Sequence, residues 1–158
     1  MSAMPKMRTK RLVAAVISVL VLGARIALLS AAQLACTPTR LDTEGPFYEP
    51  NAPERNRTGR GLVVSGAVRS AFDCALLAKA RIEWWSASPG GQYDDEHRAT
   101  QLVGSDGRYR YETDFPGNYG RPLHLHVRVT APGHRTLVTQ LYPSAGQSSF
   151  TLDFVLRK

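Results

Sequence analysis

Residues 121–129 read RPLHLHVRV. Leu123, Leu125, Val127 and Val129 share one parity, and His124, His126 and Arg128 share the other. A strand turns successive side chains to opposite faces. The stretch therefore predicts a strand with one face in a core and two imidazoles together on the other face. Similar short runs recur after residue 60: GLVVSGAVRS (61–70), AKARIEWWSAS (78–88), RATQLVG (98–104), RYRYET (108–113), PLHLHVRVTA (122–131), HRTLVTQLY (134–142) and SFTLDFVL (149–156). In the second run Ile82 and Trp84 fall on one parity. Ser105-Asp106-Gly107 between two runs predicts a hairpin, and Pro132-Gly133 separates another pair. Asp94-Asp95-Glu96 reads as a solvated loop. No helical period follows the N-terminal segment. About seven short strands punctuated by Gly and Pro predict an all-β fold, a single β-sandwich.

The chain divides into three parts. Residues 1–35 hold Lys6, Arg8, Lys10 and Arg11, then the uncharged run LVAAVISVLVLGA, then Arg25 and IALLSAAQLA. A basic stretch, an apolar stretch and small residues near the end describe a secretory leader. Read through Arg25, the run serves equally as an uncleaved anchor. QLAC (33–36) sketches a lipidated cysteine, with Gln33 where such signals carry Leu, and Lys10-Arg11 stands where a twin-arginine signal has Arg-Arg. Each version exports the protein to the periplasm or beyond, and any membrane contact runs through this segment. Residues 36–60 are Pro-rich and without period, which predicts an extended arm. Residues 61–158 form the sandwich domain.

The net charge of +7 is misleading. Five basic groups and no acids lie in residues 1–35, so the remainder carries only +2. That balance, with no nucleic-acid motif, excludes nucleic acid as a partner. Cys36 and Cys74 are the only cysteines, and an oxidising compartment favours their disulfide over two separate thiols.

Two imidazoles at i and i+2 of a strand sit roughly 6.6 Å apart along it. They can converge on one metal ion, although a solvated sheet face carries the same pattern by chance. No Asp or Glu follows in VRVTAPGHRT (127–136). His97 and His134 lie in polar, turn-like contexts and read as surface residues. Tyr93 closes the turn SPGGQY (88–93), and Tyr119 lies in PGNYG (116–120) just ahead of the histidine strand. Either tyrosine taken alone reads as a packed ring with an exposed hydroxyl.

Taken in order, EGPFY (44–48), ARIEWWSASPGGQY (80–93), DGRYRYET (106–113), PGNYGRPLHLHVRV (116–129) and LVTQLY (137–142) resemble the intradiol ring-cleavage dioxygenases. That family includes the protocatechuate and catechol dioxygenases. The resemblance runs from about Thr43 to Tyr142. It implies a non-haem Fe(III) enzyme that cleaves a catechol-type ring with O2 to a muconate-type diacid. By the same resemblance Tyr93, Tyr119, His124 and His126 would be the metal ligands. Tyr119 and His124 would be axial, and Tyr93 and His126 equatorial beside a hydroxide. Arg121 matches an arginine beside the substrate, and Gln140 a position near the site; Tyr119, Arg121 and Gln140 are the implied catalytic set. A small aromatic diol and O2 would be the partners, with room for a homo-oligomer.

The implied ligands agree with elementary charge chemistry. A tyrosine ionises near pH 10, and a bound cation can deprotonate it. Hard, trivalent iron suits phenolate oxygen. Two tyrosinates and one hydroxide cancel its charge, so the assembly can be buried. A diol dianion that displaces Tyr119 and the hydroxide keeps the total at zero, which makes Tyr119 the base that leaves. Two other readings stand beside this one. One is a non-catalytic sandwich module of the transthyretin or carboxypeptidase-regulatory kind, since fold alone does not carry function. The other is a zinc or copper site that adds His97 or His134 to His124 and His126.

Overall fold

The computed structural model describes residues 36–158; the leader or anchor expected over 1–35 lies outside the described residues. The described residues contain eight strands and no helix: β1 (Leu62–Ser70), β2 (Arg81–Ala87), β3 (Tyr93–Leu102), β4 (Arg108–Thr113), β5 (Leu125–Thr130), β6 (Leu137–Leu141), β7 (Ser149–Thr151) and β8 (Phe154–Leu156). One sheet has the order β4-β1-β7, with β8 also pairing β1, and the other has the order β3-β2-β5-β6. Their inner faces meet in one apolar core. The parity of β2 and β5 explains this. Ile82, Trp84, Leu125, Val127 and Val129 point inward and are sealed from solvent. Leu123, which precedes β5, is only half-buried. Trp84 reaches across to the other sheet and stacks on Tyr111, with ring centroids 4.4 Å apart.

Three sequence expectations change. Ser105-Asp106-Gly107 does not close a hairpin: β3 pairs with β2, and β4 pairs with β1. The turn is an arch that carries the chain between sheets, with Gly107 N–H donating to the Gly104 carbonyl (3.1 Å). The closing run SFTLDFVL forms two strands, which raises the count from about seven to eight. Asp153 splits it by inserting its carboxylate, which accepts from the Ala67 N–H (2.8 Å) and pairs with Arg69 (2.6 Å). Asp94-Asp95-Glu96 is not a free loop but part of β3.

The arm is extended and works as a strap. Thr39 N–H donates to Val155 O of β8, and Asp42 N–H to Val138 O at the β6 edge. The strap then crosses the outer face of the β3-β2-β5-β6 sheet, where Tyr48 donates to Glu83 (3.1 Å). It meets the opposite edge at β3, where Arg55 N–H donates to Thr100 O and Thr100 N–H to Pro53 O. Both edges of that sheet are thereby covered, which removes unpaired strand edges. A Cys36–Cys74 disulfide fastens the start of the strap across a separation of 38 residues.

Candidate metal centre

Because β5 sends its odd-numbered side chains into the core, His124 and His126 face the strap. The cross-strand partners of His126 are Trp85 on β2 and Gln140 on β6. The Trp85 indole lies parallel to the His126 ring, with centroids 4.9 Å apart and planes 5° apart. Tyr93, the first residue of β3, stacks on Phe47 of the strap (4.3 Å, 18°). Tyr119 comes from the irregular segment between β4 and β5.

These four side chains meet. Tyr93 Oη is 3.2 Å from Tyr119 Oη and 3.0 Å from His126 Nε2. Tyr119 Oη is 3.0 Å from His124 Nε2, and the two Nε2 atoms are 3.0 Å apart. Two phenol oxygens and two imidazole nitrogens thus close a four-membered ring of contacts. The Pro122 carbonyl lies 2.6 Å from His124 Nδ1. A carbonyl can only accept, so that nitrogen carries the hydrogen and Nε2 offers a lone pair. With His126 neutral, at most three hydrogens serve the four contacts, so the ring is incomplete as a hydrogen-bond network. It fits a cation better. A point equidistant from four donors spaced this way lies about 1.9–2.2 Å from each, which brackets ordinary metal–nitrogen distances of about 2.0–2.1 Å.

Electrostatics favour the same use. Burial, and then the hydrogen bond to Tyr119, push the Tyr93 phenol well above its ordinary value. A phenolate there requires a cation beside it. Burial, and then the neighbouring His124, pull His126 down to about 4, so its ring is neutral at neutral pH. Arg121 is exposed and makes no ion pair among the described residues. Its charge acts on Tyr93, His126 and Tyr142, so it lies on the side of the molecule that carries the ring. Gln140 sits beside His126, but its carboxamide is turned to the strap. Nε2 donates to Thr43 O (2.7 Å) and Thr43 Oγ1 (2.9 Å), and Oε1 accepts from Tyr142 (2.7 Å).

The dioxygenase domain of a dioxygenase and carbohydrate-binding protein fusion from Streptomyces sp. SirexAA-E is 32% identical, with a TM-score of 0.69. The alignment covers 77% of this chain and 99% of that one. The intradiol ring-cleavage dioxygenase prcA of Aspergillus niger is 26% identical over 145 residues, covering 68% of this chain and 46% of that protein. This chain belongs to the intradiol ring-cleavage dioxygenases. Chlorocatechol 1,2-dioxygenase of Cupriavidus pinatubonensis is 30% identical over 138 residues, covering 65% of this chain and 54% of that enzyme. The chain spans about half the length of the curated relatives it matches. No family model matches it.

The other two histidines stand apart from the ring. His97 is not a surface residue: it is 6% exposed, and its nitrogens face Asp94 (2.6 Å) and Asp114 (3.2 Å). His134 is half-buried in its turn, with Nδ1 2.9 Å from Pro132 O. No cluster of three or more His, Cys, Asp or Glu side chains suited to a metal occurs among the described residues, so neither His97 nor His134 joins His124 and His126 in one. What the sequence did not mark is the strap's part in the site. Thr43, Gly45 and Phe47 touch Gln140, His126 and Tyr93, and the Gly-Pro pair in EGPFY was the available signal.

His126 also predicts a pH dependence for the metal-free protein. Its folded value of about 4 lies below the ordinary histidine value of 6.5, so the unfolded chain takes up a proton first as pH falls. Stability that is full above about pH 6.5 is lost as pH falls toward 4, by roughly 1–3 kcal/mol. Urea unfolding of chelator-treated protein should show this slope, and His126→Gln should flatten it. Equal slopes in the two proteins would contradict the assignment.

Proposed function

We propose that this dioxygenase binds one ferric ion between Tyr93, Tyr119, His124 and His126. In this reading it cleaves a catechol-type ring between the two hydroxyl-bearing carbons, and both atoms of O2 enter a muconate-type diacid. The observation that carries the reading is the closed ring of two phenol oxygens and two imidazole nitrogens, short of hydrogens and sized for an ion. A ferric ion held there would supply the Lewis acidity that keeps phenols ionised and draws electron density from a bound diol.

The chain's own groups divide the remaining work. Tyr93 is pinned by Phe47 and His126 by Trp85, so these two are fixed donors. Tyr119 belongs to no strand and has no ring stacked on it as Tyr93 has, so it is the ligand we assign to leave. Its phenolate oxygen takes a proton from a diol hydroxyl as the substrate enters. Arg121, on the side of the molecule that carries the donor ring, stabilises negative charge on the substrate ring. Gln140 positions the strap through Thr43. We further assign residues 1–35 to export or membrane attachment and residues 36–158 to the functional unit; the Cys36–Cys74 pairing supports an oxidising compartment. A non-catalytic sandwich module has no use for the donor ring.

Protein from iron-replete cells should carry about one iron per chain and absorb visible light through tyrosinate-to-iron charge transfer. Tyr93→Phe should shift or bleach that band, and catechol and O2 should disappear in equal amounts. Colourless protein without stoichiometric iron would overturn the reading.

Gly45 supplies a further prediction. A Cβ there would lie 2.9 Å from His126 Cε1, and its φ of +74° already disfavours other residues. Gly45→Ala should displace the imidazole and weaken iron binding about 10–100-fold, the range for groups that orient a ligand. Chelator competition reads this, and unchanged iron retention would contradict it.

A further inference from the structure

Tyr119 reaches the ring from a segment that no ladder holds, and Tyr93 from the start of β3, where the ladder to β2 is interrupted. Between β2 and β3, Trp85 opposes Arg98 while Ala87 opposes Tyr93. Residues 94–97 therefore bulge against Ser86 alone, and the ladder hydrogen bonds that would fix Tyr93 from the β3 side are missing there. Tyr119 lies in an irregular segment that begins at Asp114. Something must set the distance between these two segments if their hydroxyls are to meet at 3.2 Å.

His97 is placed to do so. Its backbone N–H donates to Asp94 Oδ1 (2.9 Å), and its Nδ1 is 2.6 Å from the same oxygen, closing the bulge next to Tyr93. Its Nε2 lies 3.2 Å from Asp114 Oδ2, at the root of the Tyr119 segment. Asp114 is itself held, accepting at Oδ1 from Arg60 N–H (3.0 Å). Burial raises the Asp94 carboxyl, yet the side-chain and backbone bonds from His97 outweigh this and leave it lowered. A second tie lies on the other side of the tyrosines. Gly117 N–H donates to Ser88 O (3.1 Å), and Gly91 packs so closely that a Cβ would lie 2.4 Å from Asn118 O.

We propose that His97 is a positioning residue. By bridging Asp94 and Asp114 it sets the separation of Tyr93 and Tyr119, and so the fit of the ring to its ion. The proposal rests on the ferric-centre reading above, but one of its two measurements does not need iron. In metal-free protein, hydrogen exchange across residues 115–120 should be about tenfold faster or more in His97→Ala, because hydrogen bonds to a charged partner are lost. In iron-loaded protein the same variant should show a displaced visible band and release iron about tenfold faster. His97→Gln, which can still donate to one carboxylate, should fall between His97→Ala and wild type. Asp114→Ala, altered at a partly exposed position, tests the same bridge should His97→Ala not fold.

Wild-type exchange with a wild-type band in the folded variants overturns the proposal. So does faster exchange with an unmoved band, because the bridge would then serve the fold alone. Wild-type protein without iron or band defeats the ferric reading itself; faster exchange would then leave only a structural tie and also overturn the positioning role.

Discussion

Replacing His126 with alanine is expected to remove bound iron, visible colour and ring cleavage together, lowering turnover by roughly a thousandfold or more. Lewis-acid stabilisation is worth several kcal/mol at the transition state, and each 1.36 kcal/mol is tenfold in rate. The substitution acts on more than one contact. Tyr93 loses its 3.0 Å partner and His124 Nε2 loses its 3.0 Å neighbour, so two of the four ring contacts disappear. The space left behind is shaped like the ring that filled it, with the Trp85 face on one side and Gly45 against the ring's edge. Free imidazole at millimolar concentration should enter and restore part of the colour and activity. The measurements are iron per chain, the visible spectrum and O2 uptake, with and without imidazole. A variant that keeps full iron and activity would show that the ring is not the metal centre.

The parts of this architecture that follow local rules were legible in the residues. Period-two alternation in RPLHLHVRV placed Leu125, Val127 and Val129 in the core and both histidines on the opposite face, because a strand permits no other arrangement. Partner choice was not legible. Asp106-Gly107 signals a tight turn in either case, and nothing local distinguishes a hairpin from an arch; the decision is made by β1, some forty residues earlier, which pairs with β4. His97 was misread for a related reason. In sequence it follows three acids and resembles a solvated stretch, whereas in space those acids include the partner that buries it. The strap shows the same limit. Its hydrogen bonds to the two sheet edges go to β6 and β3, and its site contacts to Gln140, His126 and Tyr93. Those partners are 40–100 residues away, beyond any short-range pattern. The ordered set of tyrosines and histidines was recognisable only as a constellation, since neither a lone tyrosine in a turn nor a His-x-His pair discriminates a ligand from a surface group.

Trp84→Ala is expected to cost about 3–5 kcal/mol of folding stability, the range for deleting a buried aromatic side chain. Trp84 is 1% exposed and joins the two sheets. From β2 it stacks on Tyr111 and reaches Tyr109 (5.8 Å) and Phe154 (5.9 Å), all carried by the opposite sheet. Its indole Nε1 is buried with no hydrogen-bond partner among the described residues, so burial of that polar group goes uncompensated there. Trp84→Phe deletes that group along with some volume, and the relief of about 1–3 kcal/mol partly offsets the lost packing. The phenylalanine variant should therefore lie well above the alanine one in denaturant titrations. Alternation makes a further distinction. Trp84 faces the core while Trp85, one residue on, faces the strap and supports His126. Loss of Trp84 should lower stability yet leave iron bound in whatever fraction remains folded at low temperature, whereas Trp85→Ala should loosen iron in protein that stays folded. If Trp84→Ala unfolds within 1 kcal/mol of wild type, the aromatic stack is not what holds the sheets together. If it loses iron while still folded, the two faces of β2 are not separable in the way the strand geometry requires.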